Sequence, residues 1–265
     1  MFLSSDHTFV LCAYGESPYL EECLSSITAQ TTKTSVLIAT STPNDHIRTV
    51  ASDFEVPLFV NPDGPGIASD LNFAISCAAT PLVTVAHQDD TYATNYAEHA
   101  LKGMSRAERP LILFTNYGEI RDGEEVNDNE LLSIKRRLLR PIVRAGGISD
   151  SIRTKRRILS LGSSICCPSV TLNLPALPFP PFHAEMKSNL DWDAWERFSR
   201  LDGSFVYDSE ILMHHRIHEG SETSALIRDN TRTHEDLEML KRFWPSPVAH
   251  LINLIYSQGQ KSNGQ

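Results

Sequence analysis

The chain has 265 residues and a formal net charge of −9, with 41% hydrophobic and 22% charged residues. This composition is ordinary for a globular protein, and the length suffices for one large domain or two joined halves. No apolar run approaches the length of a membrane span. The first ten residues lack the basic start and apolar core of a signal peptide, so we expect a cytoplasmic protein.

The cysteine content agrees with that expectation. The five cysteines are odd in number and lack the spacing of metal ligands. Reduced thiols are therefore the expected state, as is usual in a cytoplasm. The adjacent pair Cys166 and Cys167 is interpreted as two small core residues.

The charge is unevenly distributed along the chain. Residues 135–157 contain nine Lys or Arg and one acid, Asp150, so this segment carries +8 and the rest of the chain −17. A local basic segment on an acidic protein does not predict a nucleic-acid partner, and we expect none. Three interpretations stay open: contact with anionic lipid headgroups, contact with a phosphate-bearing acceptor, or a solvated basic loop.

Strands and helices alternate over the first hundred residues. Ser17–Pro18 has the sequence of a helix start, and a loop over 61–66 precedes a second predicted helix, Ile67–Cys77. Apolar runs predict strands at Thr8–Leu11, Ser35–Ala39, Leu58–Val60 and Leu82–Ala86. This alternation predicts an α/β protein with a mostly parallel sheet.

The alternation weakens after a further strand at Leu111–Asn116. The later predicted elements are a helix at Asp191–Arg200, a strand at Phe205–Leu212, a loop at His214–Thr223 and helices at Thr233–Phe243 and Val248–Tyr256. An aromatic stripe on the first of these helices is interpreted as core packing.

The stretch LVTVAHQDD at residues 82–90 carries the clearest chemistry. An apolar, β-branched run predicts a buried strand that ends in two adjacent carboxylates, Asp89 and Asp90. Ligands of open α/β sheets bind at the carboxyl ends of strands. Adjacent carboxylates repel each other unless a cation lies beside them, and Mg²⁺ or Mn²⁺ takes carboxylates together with substrate phosphates. The alternative is that one aspartate caps a helix predicted over Thr91–Met104.

Three further blocks accompany this motif in a fixed order along the chain. They are FVLCAY with ESPYL at residues 9–20, NLDWDAW at 189–195 and HRIHEGS at 215–221. Together the four blocks resemble the inverting glycosyltransferases of family 2, in particular a bacterial branch that builds cell-surface polysaccharides such as capsule or lipopolysaccharide. The resemblance spans residues 8 to about 225.

The resemblance implies a GT-A fold, which is a Rossmann-like α/β fold with a mostly parallel mixed sheet flanked by helices. We expect a donor-binding half at residues 1–110 and an acceptor-binding, catalytic half at 111–225. Residues 226–265 are expected to form a C-terminal helical extension and a polar tail.

The resemblance also implies roles for the acidic residues. Asp90 is expected to bind Mn²⁺ or Mg²⁺ directly, Asp89 to contact the ribose or a metal-bound water, and His218 to act as a third ligand or a diphosphate contact. Asp191 aligns with the general base that removes the proton of the acceptor hydroxyl. Asp193 is the nearest alternative base, and a helix-capping role for Asp191 also stays open.

Nucleotide contacts are expected at the ends of the first strands. Arg216 is expected to bind the diphosphate, because a guanidinium suits phosphate geometry. The other expected contacts are Ala13, Tyr14, Glu16, Thr40, Asp63, Gly66 and Asp70. Gly66 precedes a predicted helix whose N-terminal amides can face an anion.

Several positions depart from the family pattern. Thr40–Ser41 stand where the family has an Asp that reads the base, Gly15 replaces an Asn, and His87 replaces the first acid of the longer metal motif. An Arg usual in the nucleotide-side helix is replaced by Ser69 or Asp70. UDP is therefore only the default nucleotide.

These features predict a metal-dependent glycosyltransferase of the hexosyltransferase type, which uses a nucleoside-diphosphate sugar. The expected acceptor is a saccharide, in particular a lipid-linked one reached at an anionic membrane. One alternative is a nucleotidyltransferase that makes nucleotide sugars, although residues 13–18 lack the basic groups that would hold a triphosphate. The other is a binding module without turnover, which the replacements at Thr40 and His87 suggest and the acidic motifs disfavour.

Overall fold

The structure, a computed structural model, describes residues 1–218 and 231–262. The described strands are β1 (His7–Ala13), β2 (Ser35–Thr40), β3 (Leu58–Val60), β4 (Leu82–His87), β5 (Thr91–Tyr92), β6 (Pro110–Arg121), β7 (Glu124–Val126), β8 (Ile148–Ser149), β9 (Val170–Asn173) and β10 (Ser204–Ile217). The described α-helices are α1 (Leu20–Thr28), α2 (Asp45–Asp53), α3 (Ile67–Ser76), α4 (Tyr96–Arg106), α5 (Glu130–Leu138), α6 (Arg140–Arg144), α7 (Ile152–Leu159), α8 (Leu190–Ser199), α9 (Thr231–Lys241) and α10 (Ser246–Ser262). None of these helices combines the length and the apolar character that crossing a bilayer requires.

The strands form one mixed sheet. The main order is β3-β2-β1-β4-β9-β6-β10-β5, with β7 added on β6 and β8 on β10. Strand β1 pairs in parallel with β2 and β4, as strands joined by crossover helices do. Strand β9 runs antiparallel between β4 and β6, and β10 runs parallel to β6. The predicted α/β sheet is thus parallel over β1–β4 and mixed beyond them.

Helices cover both faces of the sheet. Phe9 and Leu11 of β1 pack in one apolar cluster with α1, α2 and α4. Val10 points to the opposite face, because side chains alternate along a strand, and shares a second cluster with α3 and α6 through α10. The C-terminal helices enter this second cluster through Met239, Leu240 and Ala249, so they pack against the same core as the sheet.

One predicted helix begins later than expected. Residues 91–104 are not continuously helical: Thr91–Tyr92 form β5 against β10, and α4 begins at Tyr96 after Asn95. The Tyr92 ring is buried and its hydroxyl donates to a backbone carbonyl at 2.8 Å, a tertiary contact that outweighs local helix propensity. The two aspartates of HQDD therefore do not cap α4.

The loop predicted from His214 begins as a strand instead. Strand β10 continues to Ile217, because Arg216 and Ile217 pair in register with the end of β6. Residues 219–223 of that predicted loop lie outside the described residues. The extension of β10 carries the chain directly to the two aspartates that follow β4.

Candidate active site

Asp89 and His218 meet where β4 and β10 end. Nε2 of His218 lies 3.2 Å from Oδ2 of Asp89, and the two side chains are 24% and 25% exposed. The Ser17 hydroxyl donates to Oδ1 of Asp89 at 2.9 Å. The Tyr19 ring packs on the His218 ring with centroids 5.2 Å apart. A carboxylate and an imidazole thus share a partly open position, supported by two residues that sequence reasoning missed.

Asp90 points in the other direction, into the protein. Its carboxylate is fully buried, and Oδ1 accepts the Arg216 backbone N–H at 3.0 Å and lies 2.9 Å from Nδ1 of His215. Burial alone would raise the pKa of Asp90, but the charge and hydrogen bond of His215 bring that pKa below its usual range. Asp90 in turn raises the pKa of His215, against the effect of burial. This ion pair joins β4 to β10.

The carboxylates at this position fit a divalent metal. Oδ2 of Asp90 is buried and has no hydrogen-bond partner, while the Asp89 side chain is partly open. Mg²⁺ is bound by one or two carboxylates and completes its shell with waters and substrate phosphates, and carboxylates suit Mn²⁺ equally. Within the described residues, the one group of three metal-ligand side chains with mutually close ligand atoms is His99, Asp208 and Glu210. The predicted site therefore offers a partial ligand set that substrate oxygens would complete.

Arg216 is engaged by the protein itself. Its side chain is 8% exposed, its Nε donates to the Asp89 carbonyl at 2.9 Å, and its Nη2 donates to Glu22 at 2.6 Å. The guanidinium also lies 4.3 Å from the centroid of the Tyr19 ring. These contacts fix the HQDD turn against α1. Diphosphate binding, the role predicted for Arg216 from the sequence, requires a guanidinium that is open to solvent. In the structure the guanidinium is instead engaged by groups of the protein.

Four of the predicted nucleotide residues are exposed to solvent, namely Tyr14, Glu16, Asp63 and Gly66. Tyr14, which follows the last residue of β1, is 58% exposed, and Glu16 and Asp63 are exposed as well. The Gln88 side chain holds the Tyr14 backbone from both sides, accepting its N–H at 2.9 Å and donating to its carbonyl at 3.0 Å. Gln88 belongs to the HQDD motif, so the sequence showed that it precedes Asp89. The sequence did not show that Gln88 contacts the Tyr14 backbone.

Other predicted nucleotide residues are turned into the protein. Ala13 and Thr40 are buried at the ends of β1 and β2. Asp70 accepts hydrogen bonds from Ser41, from Asn61 and from the backbone N–H of Gly66 at 2.8–3.2 Å. This N–H at the start of α3 therefore has a protein acceptor. Ala13, Thr40 and Asp70 are therefore less accessible than Tyr14, Glu16 and Asp63.

Asp191 lies in the first turn of α8. The N-cap position is Asn189, so Asp191 is not the capping residue, and its Oδ1 accepts the backbone N–H of Trp192 at 2.7 Å. Burial raises the pKa of Asp191, while the Trp192 N–H and the charges of Arg232 and Lys135 act in the opposite direction. A raised pKa makes the ionised carboxylate a stronger proton acceptor.

The Cys166 thiol is affected by carboxylates at the end of β4 and on α8. Burial raises the pKa of that thiol, Lys135 opposes the rise, and the charges of Asp90 and Asp191 add to it. The charges of both carboxylates thus reach the Cys166 thiol, which precedes the 3₁₀ turn Cys167–Ser169 packed against β4 and β10. All five cysteines are free thiols.

Asp193, the alternative base, is closed off by arginines. The carboxylate is 4% exposed, Arg197 donates to its Oδ2 at 2.8 Å, and Arg242 donates to its Oδ1 at 2.5 Å. Both oxygens are therefore engaged in ion pairs. Of the two acids in the first turn of α8, Asp191 is the one suited to proton transfer.

The start of α8 is held by a residue that is distant in sequence. Glu235 of α9 accepts the three consecutive backbone N–H groups of residues 187–189, at 2.8, 2.8 and 2.9 Å. The neighbouring Asp236 accepts from the Asn189 side chain at 2.8 Å. No local pattern in the sequence pointed to Glu235, because its partners lie more than forty residues earlier in the chain.

Comparison with known proteins identifies the family and the fold. Residues 8–159, more than half of the chain, match the model of glycosyl transferase family 2. No curated protein matches the sequence. Among solved structures, the fragment 1–349 of TarS from S. aureus is 13% identical with a TM-score of 0.60, and the match covers 94% of this chain and 69% of that fragment.

Two further structures hold ligands. The mannosyltransferase PcManGT from Pyrobaculum calidifontis, in complex with GDP-Man and Mn²⁺, is 13% identical with a TM-score of 0.62, covering 95% of this chain and 69% of its own. Glucosyl-3-phosphoglycerate synthase from Mycobacterium tuberculosis, in complex with Mn²⁺, UDP and glucosyl-3-phosphoglycerate, is 14% identical with a TM-score of 0.56, and the match covers 89% of this chain and 80% of that one. These similarities confirm the predicted GT-A fold.

Proposed function

Because the chain belongs to glycosyl transferase family 2, we propose that it is a metal-dependent inverting glycosyltransferase acting on a nucleoside-diphosphate sugar. The observation that carries this proposal is the pairing of a carboxylate with an imidazole where β4 and β10 end. Asp89 lies beside His218 in a partly open position suited to a metal. Asp191 of α8, with its raised pKa, is the second acid that the proposal uses.

We assign the direct metal contact to Asp89 together with His218. Asp90, for which the sequence suggested that role, is fully buried against His215 and orients the turn that presents Asp89. The metal, when bound, would neutralise the charge that develops on the diphosphate leaving group. Ser17 keeps one Asp89 oxygen in place, which leaves the other oxygen beside His218 for the metal.

We assign the nucleotide to the exposed surface beside this pair. The Tyr14 ring, 58% exposed and with its backbone held by Gln88, offers a fixed face on which a base stacks. Glu16 and Asp63 supply exposed carboxylates for hydroxyl groups of the ribose or the sugar. Similar structures hold UDP-GlcNAc or GDP-Man, so UDP is the first nucleotide to test and GDP the second.

Asp191 is assigned as the general base. Its carboxylate takes the proton of the acceptor hydroxyl while that oxygen attacks the anomeric carbon. The bond from this carbon to the phosphate oxygen breaks on the opposite face, and its electron pair leaves with the nucleoside diphosphate. Attack from the opposite face inverts the anomeric configuration.

We propose a lipid-linked saccharide of a bacterial surface polysaccharide as the acceptor, which the enzyme meets at the cytoplasmic face of the plasma membrane. The support for this part is the basic segment over residues 135–157. Lys135, its first member, lies close enough to Asp191 to act on the pKa of that carboxyl. The segment therefore begins at a residue whose charge acts on the proposed base.

Calorimetry with UDP, GDP, TDP and CDP, in Mn²⁺ and in EDTA, tests the donor site. We expect one nucleotide to bind with Mn²⁺ and to lose most of its affinity in EDTA. The matching nucleotide sugar, offered with a saccharide acceptor, should then give a product of inverted configuration. Absence of binding under all conditions would refute the donor site, and release of pyrophosphate from a nucleoside triphosphate and a sugar phosphate would point to a nucleotidyltransferase instead.

A further inference from the structure

The outer surface of α6 and α7 carries four exposed arginines. Arg140 and Arg144 lie one turn apart on α6, and Arg153 and Arg157 lie one turn apart on α7. The two helices pack against each other and bury their inner residues in the same apolar cluster. The exposed residues of both helices therefore point away from that shared cluster. We call these four arginines, with the exposed aliphatic residues among them, the basic face.

The four arginines differ from other basic residues of the same segment. Lys155 is buried and donates to two backbone carbonyls at 2.7 Å, Arg156 pairs with Glu196, and Arg136 pairs with Asp128. Within residues 1–218 and 231–262, the guanidinium groups of the basic face form no ion pair. The structure thus uses some basic residues of the segment internally and leaves these four directed to solvent.

This arrangement works against the stability of the two helices. Like charges one turn apart on a helix repel each other, and each helix of the basic face carries such a pair. The acid nearest in sequence, Asp150, precedes α7 and is exposed. A negatively charged partner would remove this repulsion, so the four charges complement an anionic surface.

Exposed aliphatic side chains lie among the arginines. Val143 of α6 is 50% exposed, Ile152 of α7 is 48% exposed, and Leu161 just after α7 is 42% exposed. Trp244 borders the same end of α7, where its indole N–H donates to the Ser160 carbonyl at 2.6 Å. A soluble polyanion would leave these apolar groups in water, whereas a bilayer interface accepts aliphatic and indole groups beneath its charged headgroups.

We propose that the basic face binds the surface of an anionic lipid bilayer. This inference rests on the proposed function only for its purpose, which is to bring the enzyme to its acceptor. A protein attached through α6 and α7 would be held at the membrane that carries a lipid-linked acceptor. The vesicle binding itself can be tested without any enzymatic activity.

Co-sedimentation with vesicles of phosphatidylcholine, alone or with 30% phosphatidylglycerol, tests the proposal. We expect binding only to the anionic vesicles, and weaker binding as salt rises. Each arginine near such a surface contributes about fivefold in affinity, so Arg153→Gln with Arg157→Gln should weaken binding about 25-fold. Arg140→Gln with Arg144→Gln tests the second helix in the same way.

The matched control is Arg48→Gln with Lys102→Gln, which removes two exposed charges from α2 and α4 on the opposite face of the sheet. It should change vesicle binding less than twofold. Ile152→Ser should weaken binding to anionic vesicles and leave binding to soluble polyphosphate unchanged. The proposal would be overturned if the control and the α7 variant lost vesicle binding equally. It would also be overturned if the protein bound polyphosphate but not vesicles, and that result would favour a soluble polyanionic acceptor.

The same variants separate this proposal from the proposed function. We expect their metal-dependent nucleotide binding to equal that of the unmodified protein, because the basic face contains no residue of the donor site. Loss of vesicle binding with intact nucleotide binding supports the basic face. Absence of nucleotide binding in every protein, with vesicle binding intact, would refute the donor site and leave the membrane surface standing.

Discussion

The two acidic edges of the candidate site are built in different ways. At the metal edge, Asp89 and His218 follow directly from strands β4 and β10, and a serine from the start of the chain supports them. At the base edge, Asp191 lies on a helix whose start is held by Glu235 of α9. One edge is fixed by the sheet, and the other depends on the C-terminal helices.

The electrostatics of the two edges differ as well. Burial raises the pKa of Asp90 behind the metal edge, but His215, His87 and the Arg216 backbone N–H together bring it below its usual range. Asp191 has a raised pKa, because burial outweighs its weaker partners. Asp90 thus stays ionised and keeps its pair with His215, which orients the turn that presents Asp89, whereas a general base needs a carboxylate that holds a proton more readily. The difference in surroundings therefore matches the difference in proposed chemistry.

Removing the base should give the largest effect. Asp191→Asn keeps the shape of the side chain and removes the proton acceptor, so we expect kcat to fall about 10²–10⁴-fold while UDP affinity in Mn²⁺ is unchanged. Steady-state kinetics and calorimetry on the same preparation measure both quantities. A loss of nucleotide binding as large as the loss of kcat would show that Asp191 belongs to the donor site.

The metal edge was largely predictable from the sequence, because its residues lie in short motifs. HQDD follows an apolar strand, and strand ends are where α/β sheets place ligands. The different directions of Asp89 and Asp90 were not predictable, since they depend on the pairing of β10 with β6, which brings His215 beside Asp90. The same pairing places Arg216 in protein contacts.

The base edge was predictable only in part. The helical pattern from Asp191 to Arg200 was recognisable, and the structure confirms it as α8. The sequence could not decide between Asp191 and Asp193, because the decision depends on the arginines that form ion pairs with Asp193. One of them, Arg242, lies 49 residues later in the chain. The role of Glu235 could not be predicted either, because the backbone N–H groups that it accepts lie more than forty residues earlier in the chain. The sequence pattern could not predict these contacts, because they join segments that are distant along the chain.

Substitution of the two adjacent aspartates tests the arrangement of the metal edge. Asp90→Asn should weaken Mn²⁺-dependent UDP binding about 10–100-fold, which is typical of a group that orients a metal ligand. Asp89→Asn should weaken it further, because Asp89 is assigned as the direct ligand. Calorimetry in Mn²⁺, with EDTA as the control, gives the order of the two variants. The reverse order would return Asp90 to the role that the sequence suggested.

The two acids of α8 should respond in opposite directions in an unfolding experiment. Asp193→Asn removes a charge that two arginines share, and we expect the free energy of unfolding to fall by about 1–2 kcal/mol. The folded-state pKa of Asp191 lies above its ordinary value, so its ionised form at neutral pH opposes folding, and Asp191→Asn should raise stability. Urea denaturation at pH 7 measures both. A destabilised Asp191→Asn protein would indicate a structural role.

Because α9 holds the start of α8, we expect a substitution in α9 to lower kcat, although less than Asp191→Asn does. Glu235→Gln weakens the acceptor of three backbone N–H groups before α8, and we expect kcat to fall about tenfold through displacement of Asp191. The control is Glu238→Gln on the same helix, since Glu238 pairs only with Lys241 at the surface among the described contacts. Equal activity of the two variants would mean that α9 does not position the base.

The pH dependence of kcat tests the electrostatic difference between the edges. Asp191 acts as a base only when ionised, and its pKa is raised above the ordinary value of 3.8, so kcat should fall with decreasing pH before an ordinary aspartate would protonate. Asp90 has a lowered pKa and stays ionised in that window. The measurement is made at saturating donor and metal, with circular dichroism at each pH to confirm that the protein is folded. If kcat stayed constant down to the ordinary aspartate range, burial would not set the strength of the base, and the two edges would titrate alike.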